Sequence, residues 1–118
     1  MWQVYLLYHK DANRTYIGAS TDVTRRLKEH NSGKGSKSTK IQLLKYESDW
    51  KLIAYLDGFI NQSEAYRWEK LLKLHNKGLK ARLEGFRLLS DGTFYRKGIE
   101  VSEDYYMPSV QLFEVVNG

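Results

Sequence analysis

The chain opens with "WQVYLLY", a run of aromatic and branched residues, followed by the turn formers "HKDANR" and then "TYIGA". Such runs on either side of a polar turn predict a hairpin of two strands. Thr21 or Asp22 then caps a helix that reaches about His30 and stops at "NSGKG", where Asn and Gly end helices readily. "SGKGSKSTK" has three lysines, no acid and little to pack, so it reads as a mobile loop. "WKLIAYLDGF" reads as a mostly buried strand. Asn61 caps a second helix, with Glu64 in capping-box spacing, running through "SEAYRWEKLLKLHN" to Gly78. Beyond it the pattern predicts a short helix, "LKARLE", with a connector to residue 90. It then predicts a hairpin "GTFYRKGIEV" turning at Lys97-Gly98, and a strand or edge segment "VQLFEVV". The architecture is α+β: a small mixed, mainly antiparallel sheet flanked by helices. With no repeat, no long linker and one proline, Pro108, the 118 residues read as a single domain.

Within this pattern two helix positions are anomalous. Val23 and Leu27 lie four apart on the first helix, and Arg26 and His30 lie three residues beyond each, so all four share a stripe. Arg25, Lys28 and Glu29 fall to the other side. A guanidinium at the edge of a packing face calls for an anion, either a protein carboxylate or a bound phosphate. On the second helix Ala65, Trp68, Leu72 and His75 form the inner stripe, and Glu69 stands among them where a Leu would be expected. Two readings remain open from the pattern alone. Glu69 and Arg26 form a buried structural pair, or both serve chemistry.

Charge adds a partner class. Nineteen basic against ten acidic residues give the first 99 residues +9, whereas the last 19, with Glu100, Glu103, Asp104 and Glu114 and no base, carry −4. A basic body favours polyanions, and it also keeps a surface soluble. The acidic tail offers a surface to a protein partner. The absence of cysteine removes thiolate metal sites and cysteine nucleophiles. With no long apolar stretch and no export signal, the chain reads as soluble and intracellular, with no membrane partner.

The motifs "VYLL" at 4–7, "TYIG" at 15–18, "TRRLKEHN" at 24–31, "GF" at 58–59 and "AYRWE" at 65–69 occur in an order that resembles the GIY-YIG nuclease superfamily. The likeness is closest to the branch of the scaffold-associated, structure-selective nuclease and to small stand-alone domain proteins. The first motif reads Val4-Tyr5-Leu6 where the family name has Gly-Ile-Tyr, and the zinc finger of that branch has no counterpart in a chain without cysteine. The resemblance implies a nuclease core over residues 1–80 and a C-terminal extension, 81–118, packed on the same domain.

It also implies the roles. Tyr5, Tyr16, Arg26, His30 and Glu69 match the catalytic positions, Glu69 is the metal carboxylate, and Gly18 permits close backbone approach. The activity implied is metal-dependent hydrolysis of DNA phosphodiesters, with branched or otherwise structured DNA among the substrates and one Mg²⁺ (or Mn²⁺) as cofactor. The alternative is a non-catalytic nucleic-acid-binding module that retains the fold. An oxygen ligand such as Glu69 suits a hard cation, and Arg26 offers a planar fork to phosphate. Tyr5, Tyr16 and His30 are all candidates for the general base. Arg25, Lys34, Lys37, Lys40 and Arg67 are candidate contacts to the DNA backbone, or plain solvated surface. Trp2, Trp50 and Trp68 read as core.

Overall fold

The computed structural model describes residues 1–74, 78–92 and 108–115. Two strands, β1 (Trp2–His9) and β2 (Arg14–Ser20), form the expected hairpin. β3 (Lys51–Phe59) pairs with the other side of β1, and a short β4 (Gln111–Glu114) pairs with β3. The order is β2-β1-β3-β4, and every pairing is antiparallel, so the described sheet is uniform rather than mixed.

Each face of the sheet has its own core, because side chains alternate along a strand. Val4, Leu6, Ile17, Ala54 and Leu56 point to one face. There they meet Ala65, Trp68 and Leu72 of α3 (Gln62–Lys73) and Phe86 and Leu89 of α4 (Leu79–Ser90). Tyr5 and Leu7 point to the other, toward Val23 and Leu27 of α1 (Val23–Asn31) and toward Trp50. Asp22, rather than Thr21, caps α1, its carboxylate accepting from Arg25 N at 3.1 Å. Asn61 caps α3 by accepting from Glu64 N at 2.9 Å.

Two expectations need correction. The lysine-rich segment is not a loop throughout: Ser36 caps a helix, α2 (Lys37–Lys45). That helix follows α1 through a Schellman stop, with Gly33 at φ 79° and bonds Gly33 N→His30 O (3.2 Å) and Lys34 N→Glu29 O (2.9 Å). The turn folds α2 back on α1. The second correction concerns residues 79–90, which form one continuous helix instead of a short helix and a connector. Of the expected 92–101 hairpin, everything after Gly92 lies outside the described residues, as do His75 and the acids Glu100, Glu103 and Asp104. No described helix is long and apolar enough to cross a membrane.

Candidate active site

Tyr5 lies at the centre of β1, flanked across the sheet by Gly18 of β2 and Tyr55 of β3, and it is 1% exposed. Gly18 has a steric reason to be glycine. A Cβ there would overlap the Tyr5 phenol and come within 3.0 Å of the Tyr16 ring.

Behind Tyr5 runs a buried polar chain. The Tyr5 hydroxyl lies 2.7 Å from His30 Nε2, and His30 Nδ1 lies 2.9 Å from Thr39 Oγ1. Thr39 spends its hydroxyl proton on the Ser36 carbonyl at 3.1 Å, so it accepts from His30 Nδ1–H. That leaves Nε2 as the acceptor of the Tyr5 O–H. His30 and Thr39 are both fully buried. Burial, then the positive charge of Arg26, pushes the His30 imidazole down to about 4, so it is neutral at pH 7. Burial, then the Tyr16 oxygen, raises Tyr5 well above the usual phenol range, only partly offset by the Arg26 guanidinium. Gly35 closes the chain from outside, because a Cβ at that position would strike the His30 ring and its backbone.

In front of Tyr5 a cleft of about 280 Å³ is lined by Tyr5, Tyr16, Gly18, Ala19, Arg26, Tyr66 and Glu69. Helix α1 supplies the cation, α3 the carboxylate and the Tyr66 phenol, and the hairpin the phenols of Tyr5 and Tyr16. The Arg26–Glu69 pair, one of the two readings left open by the pattern, is not formed. Arg26 Nη1 binds Glu29 Oε2 at 2.7 Å, one helical turn away, and Glu69 Oε1 binds Lys73 Nζ at 2.8 Å. The reason is distance along each helix: both charges find a partner at i,i+3 or i,i+4 before reaching across the cleft. Glu29 therefore belongs with Arg26 and not on the opposite side. Its hydrogen bond raises Arg26 further above its already high range and lowers Glu29 below the usual carboxylate range.

The cleft thus gathers Tyr5, Tyr16, Gly18, Arg26 and Glu69, with His30 one hydrogen bond behind. The lining does not include Arg25, Lys34, Lys37, Lys40 or Arg67, all exposed. Arg25 pairs with Glu29 at 3.8 Å and Arg67 with Glu64 at 3.6 Å. Sequence reasoning missed Glu29, Gly35, Thr39 and Tyr66, and it missed that Lys73 pairs with Glu69. Tyr66 sits inside "AYRWE", and a helical i+4 count from Glu69 finds Lys73; Thr39 gave no signal in a run read as loop. A larger hollow of about 520 Å³ beside Met1, Phe59 and Pro108 offers one carboxylate, Glu64, and no basic side chain in its described lining.

As for a metal, no group of three described His, Asp or Glu side chains gathers in the way a protein cage would. Among the described residues, Glu69 alone gives the cleft a carboxylate. That fits Mg²⁺, which commonly takes one or two carboxylates and fills its remaining positions with water and substrate phosphate.

A small α+β domain with three phenols, an arginine and a carboxylate in one open cleft is suited to phosphate chemistry. The model of the GIY-YIG catalytic domain matches residues 1–82, and the chain belongs to that nuclease family. It is 39% identical over 80 residues to a UPF0213 protein of Halalkalibacterium halodurans, covering 68% of this chain and 78% of that one. A UPF0213 protein of Citrobacter koseri is 38% identical over 92 residues, 75% of this chain and 85% of its own. One of Streptococcus pneumoniae is 46% identical over 70 residues, 59% of this chain. The match spans 64% of the length of that pneumococcal relative.

Proposed function

We propose that the protein is a metal-dependent DNA endonuclease that hydrolyses phosphodiester bonds, acting inside the cell. One observation carries the reading: Tyr5, Tyr16, Arg26 and Glu69, from four different elements, converge on one solvent-open cleft. Structural ion pairs do not require that convergence.

Arg26 receives the phosphate. Glu29 holds one nitrogen of its fork and so fixes the plane the other nitrogens present. Glu69 would hold a divalent ion, which would supply Lewis-acid stabilisation of the charge that develops in the reaction. The attacking water forms a bond to phosphorus as the bond to the leaving oxygen breaks. Its proton passes to the Tyr5 oxygen while the Tyr5 proton passes to His30 Nε2, which avoids a free phenolate that burial makes costly. His30 is a weak base in the free protein, partly because Arg26 repels its cation. A phosphate on Arg26 cancels that repulsion, so substrate binding itself raises the basicity of the relay. Arg25, Lys34, Lys37, Lys40 and Arg67 grip the backbone outside the cleft. Residues 81–118 pack on the 1–80 core as one domain, and the acidic tail meets a protein partner.

The test is incubation of the protein with branched, nicked and linear DNA, with and without Mg²⁺ or Mn²⁺. Tyr5→Phe and Arg26→Ala should each abolish most cleavage while DNA binding persists. Wild-type rates from both variants would remove this site from the chemistry. Wild-type binding without cleavage in either metal would leave a non-catalytic binding module.

A further inference from the structure

Outside the cleft, Arg82 poses a problem of charge. It lies in the first turn of α4, half-buried, and its Nη1 donates to Thr15 Oγ1 at 2.8 Å. Its Nε is buried with no hydrogen-bond partner among the described residues. None of the ion pairs among those residues involves Arg82 or its neighbour Arg14. A threonine hydroxyl satisfies one N–H but neutralises no charge. Consistent with this, burial lowers Arg82, with no opposing anion among the described residues. A cation held partly out of water in this way is costly until an anion arrives.

The space beside it is shaped for one. A hollow of about 500 Å³ is lined by Ala12, Asn13, Arg14, Thr15 and Arg82. Its lining brings two guanidinium groups, a hydroxyl and an amide together, with no carboxylate among the described residues. Planar guanidinium forks donate two parallel hydrogen bonds to paired oxygens, which a phosphate presents and a halide does not.

Position then identifies the phosphate. β2 is the outer strand of the described sheet. Arg14 and Thr15 begin it, while Tyr16 and Gly18, farther along, line the cleft. Thr15 and Gly18 are three residues apart in that strand, a rise of about 10 Å. That corresponds to about three nucleotides at the axial spacing of one DNA strand. Lys73, the partner of Glu69, lies on the same edge, 5.8 Å from the Tyr16 ring.

We propose that the hollow formed by Arg14, Thr15 and Arg82 is a second phosphate-binding site, holding the backbone of the cut strand about three nucleotides from the reacting bond. The proposal rests on the nuclease reading of the cleft, and it adds Arg14 and Arg82, which lie outside the quoted motifs, to Thr15 at the start of one. DNA lying along the outer edge of β2 would engage Arg26 at one end and Arg82 at the other. The second contact would fix the direction of the strand through the cleft, which a single phosphate contact leaves free.

The test separates binding from turnover. The cut site is first mapped on one duplex with wild-type protein and Mg²⁺. Binding of that duplex is then measured in EDTA over a range of salt, with a single neutral methylphosphonate linkage moved along the strand. For the wild type, the neutral linkage about three nucleotides from the cut should weaken binding and flatten the log–log salt dependence by about 0.9. In Arg14→Ala/Arg82→Gln the same linkage should make no difference, because the contact is already gone. Arg82→Gln keeps a donor for Thr15, and Arg14→Ala alone, at an exposed position, should flatten the slope without threatening the fold. Equal sensitivity of wild type and double variant to every neutral linkage, beside normal cleavage by the wild type, overturns the second site and leaves the nuclease reading intact. Wild-type protein that binds no DNA overturns both.

Discussion

Acid should unfold this protein through His30. In the native state the imidazole is locked between the Tyr5 hydroxyl and Thr39 Oγ1 and titrates at about 4, against 6.5 when exposed. Between those values the unfolded chain binds a proton that the folded chain refuses, so stability is complete above pH 6.5 and is lost as pH falls toward 4. At 1.36 kcal/mol per pH unit the interval corresponds to about 3 kcal/mol, a large part of the stability of a small domain. Glu29 also loses stabilisation in acid, but its lowered value puts that loss beneath the ordinary carboxylate range and mostly below the His30 window. The assay is urea unfolding at half-unit steps from pH 7.5 to 4, on wild type and on His30→Gln, which keeps a donor and an acceptor but cannot titrate. The wild-type curve should fall relative to the variant by about 3 kcal/mol over that window. Parallel curves, or an NMR titration in which His30 protonates near 6.5, would refute the buried neutral imidazole.

Further outcomes follow from the same contacts. Glu69→Gln should abolish metal-dependent cleavage yet cost less than about 1 kcal/mol, because its partner Lys73 is an exposed lysine on the same helix; a loss of several kcal/mol by thermal unfolding would mean that Glu69 pairs inside the core. Gly18→Ala should lower stability by about 1–3 kcal/mol through overlap with Tyr5 and remove cleavage with it, and an active, fully stable Gly18→Ala would show that the two strands can part there. Thr39→Val should cost about 1–3 kcal/mol by leaving His30 Nδ1–H buried without an acceptor, and Thr39→Ser should restore most of it.

The elements that bury apolar stripes were legible in the sequence: the β1–β2 hairpin, β3, and the capped helices α1 and α3 all declare themselves by pattern and by Asp22 or Asn61. Helix α2 was not, and the reason is physical. It buries a single residue, Thr39, so no apolar period marks it. Its anchors are polar and tertiary, namely the Thr39–His30 bond and the Trp50 Nε1 bond to the Thr39 carbonyl at 3.0 Å. The same limit applies to the charges. Pattern placed Arg26 and Glu69 on inward stripes, and both do line the cleft. It could not say that each would be paired along its own helix, since a stripe count ranks faces and not rotamers.

The two glycines beside the Tyr5–His30–Thr39 chain show what a one-dimensional reading cannot recover. Gly18 and Gly35 lie in unrelated settings, one mid-strand and the other between α1 and α2, and only Gly18 falls in a recognisable motif. Yet each is held to glycine by the same polar chain, Gly18 by the phenol at its front and Gly35 by the imidazole at its back. With no Cβ on either side, the sheet and the α1–α2 turn close directly on the two rings. That closeness buries them, and burial is the largest cause of both shifts: it keeps His30 neutral and able to accept, and it raises Tyr5 well above the usual phenol range. A side chain at Gly35 would act on Tyr5 without touching it, by loosening His30, so the boundary of this site runs one residue deeper than the cleft that can be seen.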